Sequence, residues 1–182
     1  MRIVAASLLL FALSHQLCAR VFSSINLAGS FAEAGLVVEA VVTSANQVGD
    51  LVRYELAVSR AISGSTPDTV MFCSTEMISV GMHVLFAAST DQFRKECVPS
   101  HSRYTSHYFV IPLVRDATTE GTVRMALLPD EHQFLGCTSD DTVAIPPSRG
   151  AARHNWPPDW DRTFLFPLAA FKECAGLPAD ES

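Results

Sequence analysis

The chain has 182 residues, a formal charge of −6 and 48% apolar residues. That length suits one domain with a core of useful size. The moderately acidic balance, with no basic run, excludes the phosphate-facing surfaces that nucleic acids and anionic lipids require.

The N-terminus reads as a secretory signal. Met1-Arg2 gives a positive start, Ile3 to Leu13 an apolar run, and Ser14 to Ala19 a polar, small-residue stretch with cleavage after Ala19. The apolar run is too short to span a membrane. Cys18 invites a lipid anchor, but His15-Gln16-Leu17 lacks the small-residue pattern of a lipoprotein site. The expected division is a signal peptide 1–19, a single domain 20–176 and a frayed tail 177–182, with the mature protein secreted or periplasmic. Losing Arg2 takes the formal charge from −6 to −7.

Arg20 to Ser30 has no clear period. Ser30-Phe31-Ala32-Glu33-Ala34-Gly35 predicts one helical turn, with Ser30 as cap, Glu33 at the capping-box position and Gly35 as terminator. Four strand signals follow. They are the apolar run Leu36–Thr43, the alternating Arg53–Ser59, then Thr69–Phe72, then His83–Ala87 entered through Gly81. Turn-formers separate them at Gln47–Asp50, Ser63–Asp68 and Ser79–Gly81. Short antiparallel strands of this kind must close or stack to hide their edges, so a small barrel or sandwich is expected.

Ser89 to His107 is polar and long for a loop. Tyr108–Val114 is a fifth strand signal, in which Pro112 cannot donate a ladder hydrogen bond and so predicts an edge or bulge. Thr122–Leu128 is a sixth, after the turn-former pair Glu120-Gly121. Thr142–Ile145 is a short seventh. Pro146 to Asp161 holds four prolines and both tryptophans and reads as an irregular connection. Phe164–Phe166 predicts a last short strand. Pro167–Cys174 predicts a helix with Leu168 and Phe171 on one face and Gly176 as its stop.

Without the signal peptide the cysteines are Cys73, Cys97, Cys137 and Cys174, an even number in an exported chain. Four cysteines allow three pairings. The preferred set is Cys73–Cys97, which ties the third strand to the long loop, with Cys137–Cys174, which ties a loop to the C-terminal helix. No C-x-x-C spacing points to a metal.

The rhythm of Leu36–Ala88 resembles the TIMP-like, or netrin-module, branch of OB-fold proteins found in exported bacterial chains. The residues that carry it are Val37–Val42, Tyr54–Gly64, Thr69–Met71 and Gly81–Ala87, about a third of the chain. The resemblance implies a mainly β, closed OB-type barrel, here with extra strands and a C-terminal helix. In the inhibitors that name the family, an N-terminal cysteine chelates a protease's zinc. This chain has no cysteine between Ala19 and Cys73, so that mode of inhibition does not carry over.

Residues able to do chemistry are scattered. His83, His101, His107, His132 and His154 stand singly, and there is no G-x-S-x-G elbow. The neighbouring acids Asp140-Asp141 and Asp159/Asp161 lack calcium-loop spacing and read as solvated charge. The strongest recognition stretch is Trp156-Pro157-Pro158-Asp159-Trp160. There two indoles on a stiff frame serve either to grip a partner or to close a barrel end as a lid. Trp156, Asp159 and Trp160 are the candidate binding residues, and no catalytic residue, metal or cofactor is expected. The function so read is an exported, non-catalytic binding module whose partner is another protein of the cell envelope or outside the cell. The alternatives are protease inhibition through another surface and a small exported hydrolase.

Overall fold

The computed structural model describes residues 26–64, 68–74, 78–88, 108–115, 122–145 and 163–179. Its strands are β1 (Leu36–Val48), β2 (Leu51–Ser63), β3 (Thr69–Ser74), β4 (His83–Ala88), β5 (Tyr108–Arg115), β6 (Val123–Leu127), β7 (Val143–Ile145) and β8 (Thr163–Pro167). Among the described residues three short helices join them: α1 (Leu27–Ala32), α2 (Pro129–Gln133) and α3 (Leu168–Cys174). All strands pair antiparallel in one eight-stranded sheet of order β3-β2-β1-β4-β5-β6-β8-β7.

The sheet is open, which corrects the expected closed barrel. No ladder joins the edges β3 and β7 among the described residues. The reason lies in β5. Tyr108 to Pro112 pair with β4, but from Leu113 the strand takes β6 as its neighbour. Pro112, which lacks an N–H, sits where the partner changes. The C-terminal half of β5 is thereby committed to β6 and cannot also receive β3.

The first five strands nonetheless curl toward each other. Register shifts between Val37/Val38, Glu39/Ala40 and Val42/Ser44 bend the long β1–β2 ribbon. On the concave face Leu36, Val38, Ala40, Tyr54, Leu56, Phe72, Phe86 and Val110 form one buried cluster. Side chains bridge the seam that lacks a ladder. The ring of Tyr108 lies 5.2 Å from that of Phe72, and its hydroxyl donates to the Cys73 carbonyl.

The opposite face carries the three helices. Val37, Leu85, Ala87 and Ile111 point this way because alternate residues of a strand face opposite sides. Against them pack Leu27, Phe31, Leu168 and Phe171, with the Phe31 and Phe171 rings edge-on at 5.2 Å.

The predicted first helical turn is displaced. α1 begins at Leu27, capped by Asn26, whose Oδ1 accepts from the Gly29 amide at 3.1 Å. Ser30 is inside it and Glu33 closes it. α3 follows its prediction, and Gly176 at φ 65° ends it. The Leu177 amide donates back to the Lys172 carbonyl at 2.8 Å and the Gly176 amide to Glu173 at 3.2 Å, a paired closure that needs a left-handed residue. Leu177, expected at the start of a frayed tail, is buried in the helix-side core.

Cys137 and Cys174 are bonded at 2.04 Å. Cys73 is also disulfide-bonded, and Cys97, its expected partner, lies outside the described residues. So do residues 1–19, read above as a signal peptide, and residues 89–107, read as a loop. No helix among the described residues is long and apolar enough to cross a membrane.

Candidate functional site

The site grows from one charge in an apolar strand. Leu36 to Thr43 contains a single ionisable residue, Glu39. The β1–β2 register sets Arg60 directly opposite it, a cross-strand pair of unlike charge. From the other side α3 brings Lys172, whose Nζ donates to Glu39 Oε1 at 2.7 Å. Arg60 Nη2 lies 3.8 Å from the same oxygen. The three side chains form a gradient from inside to outside: Lys172 is 2% exposed, Glu39 20% and Arg60 39%.

Beside this network a cleft of about 320 Å³ runs between Arg60, Ala61 and Ile62 on β2 and Pro178 and Ala179 after α3. That volume is near the lower end of ligand pockets, roughly 300–1,000 Å³. Both walls are anchored. Ile62 and Leu177 belong to one core cluster, and the closure of α3 directs Pro178 and Ala179 across the end of β2. Gly64 fixes the same corner. At φ 87° a Cβ there would stand 2.2 Å from the Gly35 carbonyl oxygen, so only glycine lets β2 end this close to the start of β1.

Two cations meet one carboxylate here, in a chain of net −6. A guanidinium offers five donors in a planar fork that matches a carboxylate. The buried Lys172 holds the Glu39 carboxylate in place beside Arg60. The arrangement is suited to hold an anionic group against a short apolar wall.

The residues expected from the sequence to bind, Trp156, Asp159 and Trp160, lie outside the described residues, as do His101, His107, His154 and Asp161. His83 is exposed at the start of β4, on the wet side as expected. His132 stacks on Phe164 with centroids 4.2 Å apart. Asp140 and Asp141 are exposed in a turn, where the Asp141 carbonyl accepts from Arg124 Nη1 at 2.6 Å. No group of three or more His, Cys, Asp or Glu able to hold a metal occurs among the described residues.

Sequence reasoning missed Glu39, Arg60 and Lys172. The available signal was Glu39 itself, since a lone carboxylate inside an apolar run requires a partner. Nothing in the sequence says that the partner is 133 positions away. No protein-family model matches the chain, and no curated protein matches it.

Proposed function

We infer that this protein is an exported, non-catalytic binding module built on an OB-like half-barrel, and that it holds an acidic segment of a partner protein in the cleft beside Arg60. The observation that carries this reading is the Arg60 guanidinium on the cleft wall, 3.8 Å from a Glu39 oxygen that the buried Lys172 holds at 2.7 Å. A guanidinium on the wall of a cleft offers an anionic group charge-assisted hydrogen bonds that the rest of an acidic surface does not. The strand order β3-β2-β1-β4-β5 and the curl around a common interior support the OB-like reading of the scaffold. The disulfide Cys137–Cys174 supports export, because such bonds persist in oxidising compartments.

The test is capture from the protein's own cell-envelope extract, followed by calorimetry with the captured partner. Arg60→Glu reverses the rim charge and is expected to weaken binding at least about tenfold while the melting temperature holds. Capture unchanged by that substitution removes the cleft from the reading. Turnover in a broad hydrolase screen, lost on substitution of a single mature histidine, overturns the non-catalytic assignment.

A further inference from the structure

The chain leaves α3 along a fixed path. Gly176 turns the backbone at φ 65°, and the Leu177 amide is tied back to the Lys172 carbonyl at 2.8 Å. The Leu177 side chain is buried in the same core cluster as Ile62. Pro178 follows, with φ locked by its ring. Pro178 and Ala179 then stand as one wall of the cleft, facing Arg60, Ala61 and Ile62.

Arg60 is on the side of the sheet from which this exit comes. The β1–β2 register sets it opposite Glu39, whose carboxylate meets Lys172 of α3. Its Nη2 lies 3.8 Å from a Glu39 oxygen that Lys172 holds at 2.7 Å. At 3.8 Å a carboxylate attracts a guanidinium without hydrogen-bonding to it. Glu39 is thus committed to Lys172, and the fork of Arg60 can serve a second acid.

The sequence supplies two acids at this point. Asp180 and Glu181 come directly after Ala179 and lie outside the described residues. Consecutive Cα atoms are about 3.8 Å apart, so both carboxylates spring from within about 8 Å of a residue that lines the cleft.

We propose that Asp180 and Glu181 engage Arg60 and take the anion position of the cleft, so that the chain carries its own competitor for the acidic segment of a partner. The proposal rests on the reading of the cleft as an anion site. Three observations favour these residues as the occupant: they continue one wall of the cleft, they carry the complementary charge, and they are tethered. A tether this short gives an effective concentration on the order of millimolar, without the cost of bringing two molecules together. An incoming segment binds only those molecules whose tail has left Arg60, and its apparent affinity falls by that fraction.

Two measurements on the full protein with its disulfides intact test this. In nitrogen-15 spectra the Arg60 Nε–Hε cross-peak is expected to shift in Asp180→Asn/Glu181→Gln. It is expected to hold its place in Asp140→Asn/Asp141→Asn, which removes the same charge from an exposed turn. Calorimetry with a hexaglutamate peptide reads the competition. The tail variant is expected to bind the peptide at least about threefold more tightly than wild type, and the turn variant close to wild type. With Arg60→Gln in place, the tail substitutions are expected to change nothing. An unmoved Arg60 cross-peak overturns the proposal. So does equal strengthening by the turn variant, which reduces the effect to net charge. Equal binding by wild type and tail variant, weakened in both by Arg60→Gln, overturns the competitor while the anion site stands. A peptide that binds none of the forms overturns the anion site and the competitor with it.

Discussion

At the scale of single residues, the Glu39–Lys172 pair makes an asymmetric prediction. Lys172 is 2% exposed and Glu39 20% exposed. Glu39→Gln leaves an ammonium in the interior without its carboxylate, a change that costs about 3 kcal/mol. Lys172→Met replaces the cation with an apolar side chain of similar length. It leaves Glu39 partly in water with Arg60 at 3.8 Å, so the loss is below about 1 kcal/mol. Urea unfolding of the two variants checks the order, with the denaturant slope required to stay constant. Equal losses would mean that Lys172 is held by something other than Glu39. This pair also marks the limit of what the sequence shows. Glu39 is visible as an anomaly in a strand, whereas Lys172 looks like any helix lysine until α3 is laid across β1.

At the scale of elements, what could be read in the sequence was what is encoded locally. α3 was legible from Pro167, Leu168, Phe171 and Gly176, because its start, buried face and stop lie within ten residues. The strands were legible from period two. α1 was misplaced because Ser30 and Glu33 imitate a capping box. Asn26 wins because the first turn also docks on distant backbone: the Leu27 and Ala28 amides donate to the Phe134 and Leu135 carbonyls at 2.9 and 3.1 Å. α2 was not foreseen, being five residues long; Glu131 Oε2 accepts from the Leu128 amide at 2.6 Å and helps begin it. The Cys137–Cys174 bond then joins the segment after α2 to the end of α3 across a separation of 37 residues. Closing a loop of that length in the unfolded chain contributes about 4 kcal/mol on the chain-entropy account. Replacing both cysteines with serine is expected to lower unfolding free energy by up to that amount while far-UV circular dichroism keeps its β signature. A loss under about 1 kcal/mol contradicts the chain-entropy account for this bond.

At the scale of the whole molecule, the sequence pointed to curvature but not to how the curl is held. Ladder closure depends on which strand β5 chooses, and no residue of β5 alone states that choice. In place of a ladder, four rings from four strands fill the concave side. Tyr54 and Phe72 lie 5.1 Å apart, Phe72 and Phe86 5.7 Å, and Phe86 and Tyr108 6.0 Å. Phe72 touches all three of the others, so it couples the edge strand β3 to β2, β4 and β5. If the rings hold the curl, two substitutions should separate packing from hydrogen bonding. Phe72→Ala empties the centre of the cluster and is expected to cost about 3–5 kcal/mol. Tyr108→Phe keeps the ring and removes the hydroxyl that bonds to the Cys73 carbonyl, at about 1 kcal/mol. Near-UV circular dichroism follows the rings directly, and its aromatic signal should collapse for Phe72→Ala and survive for Tyr108→Phe. The reverse order of losses would place the closure in the single hydroxyl contact, and β3 would then be an edge pinned at one point instead of a wall of the half-barrel.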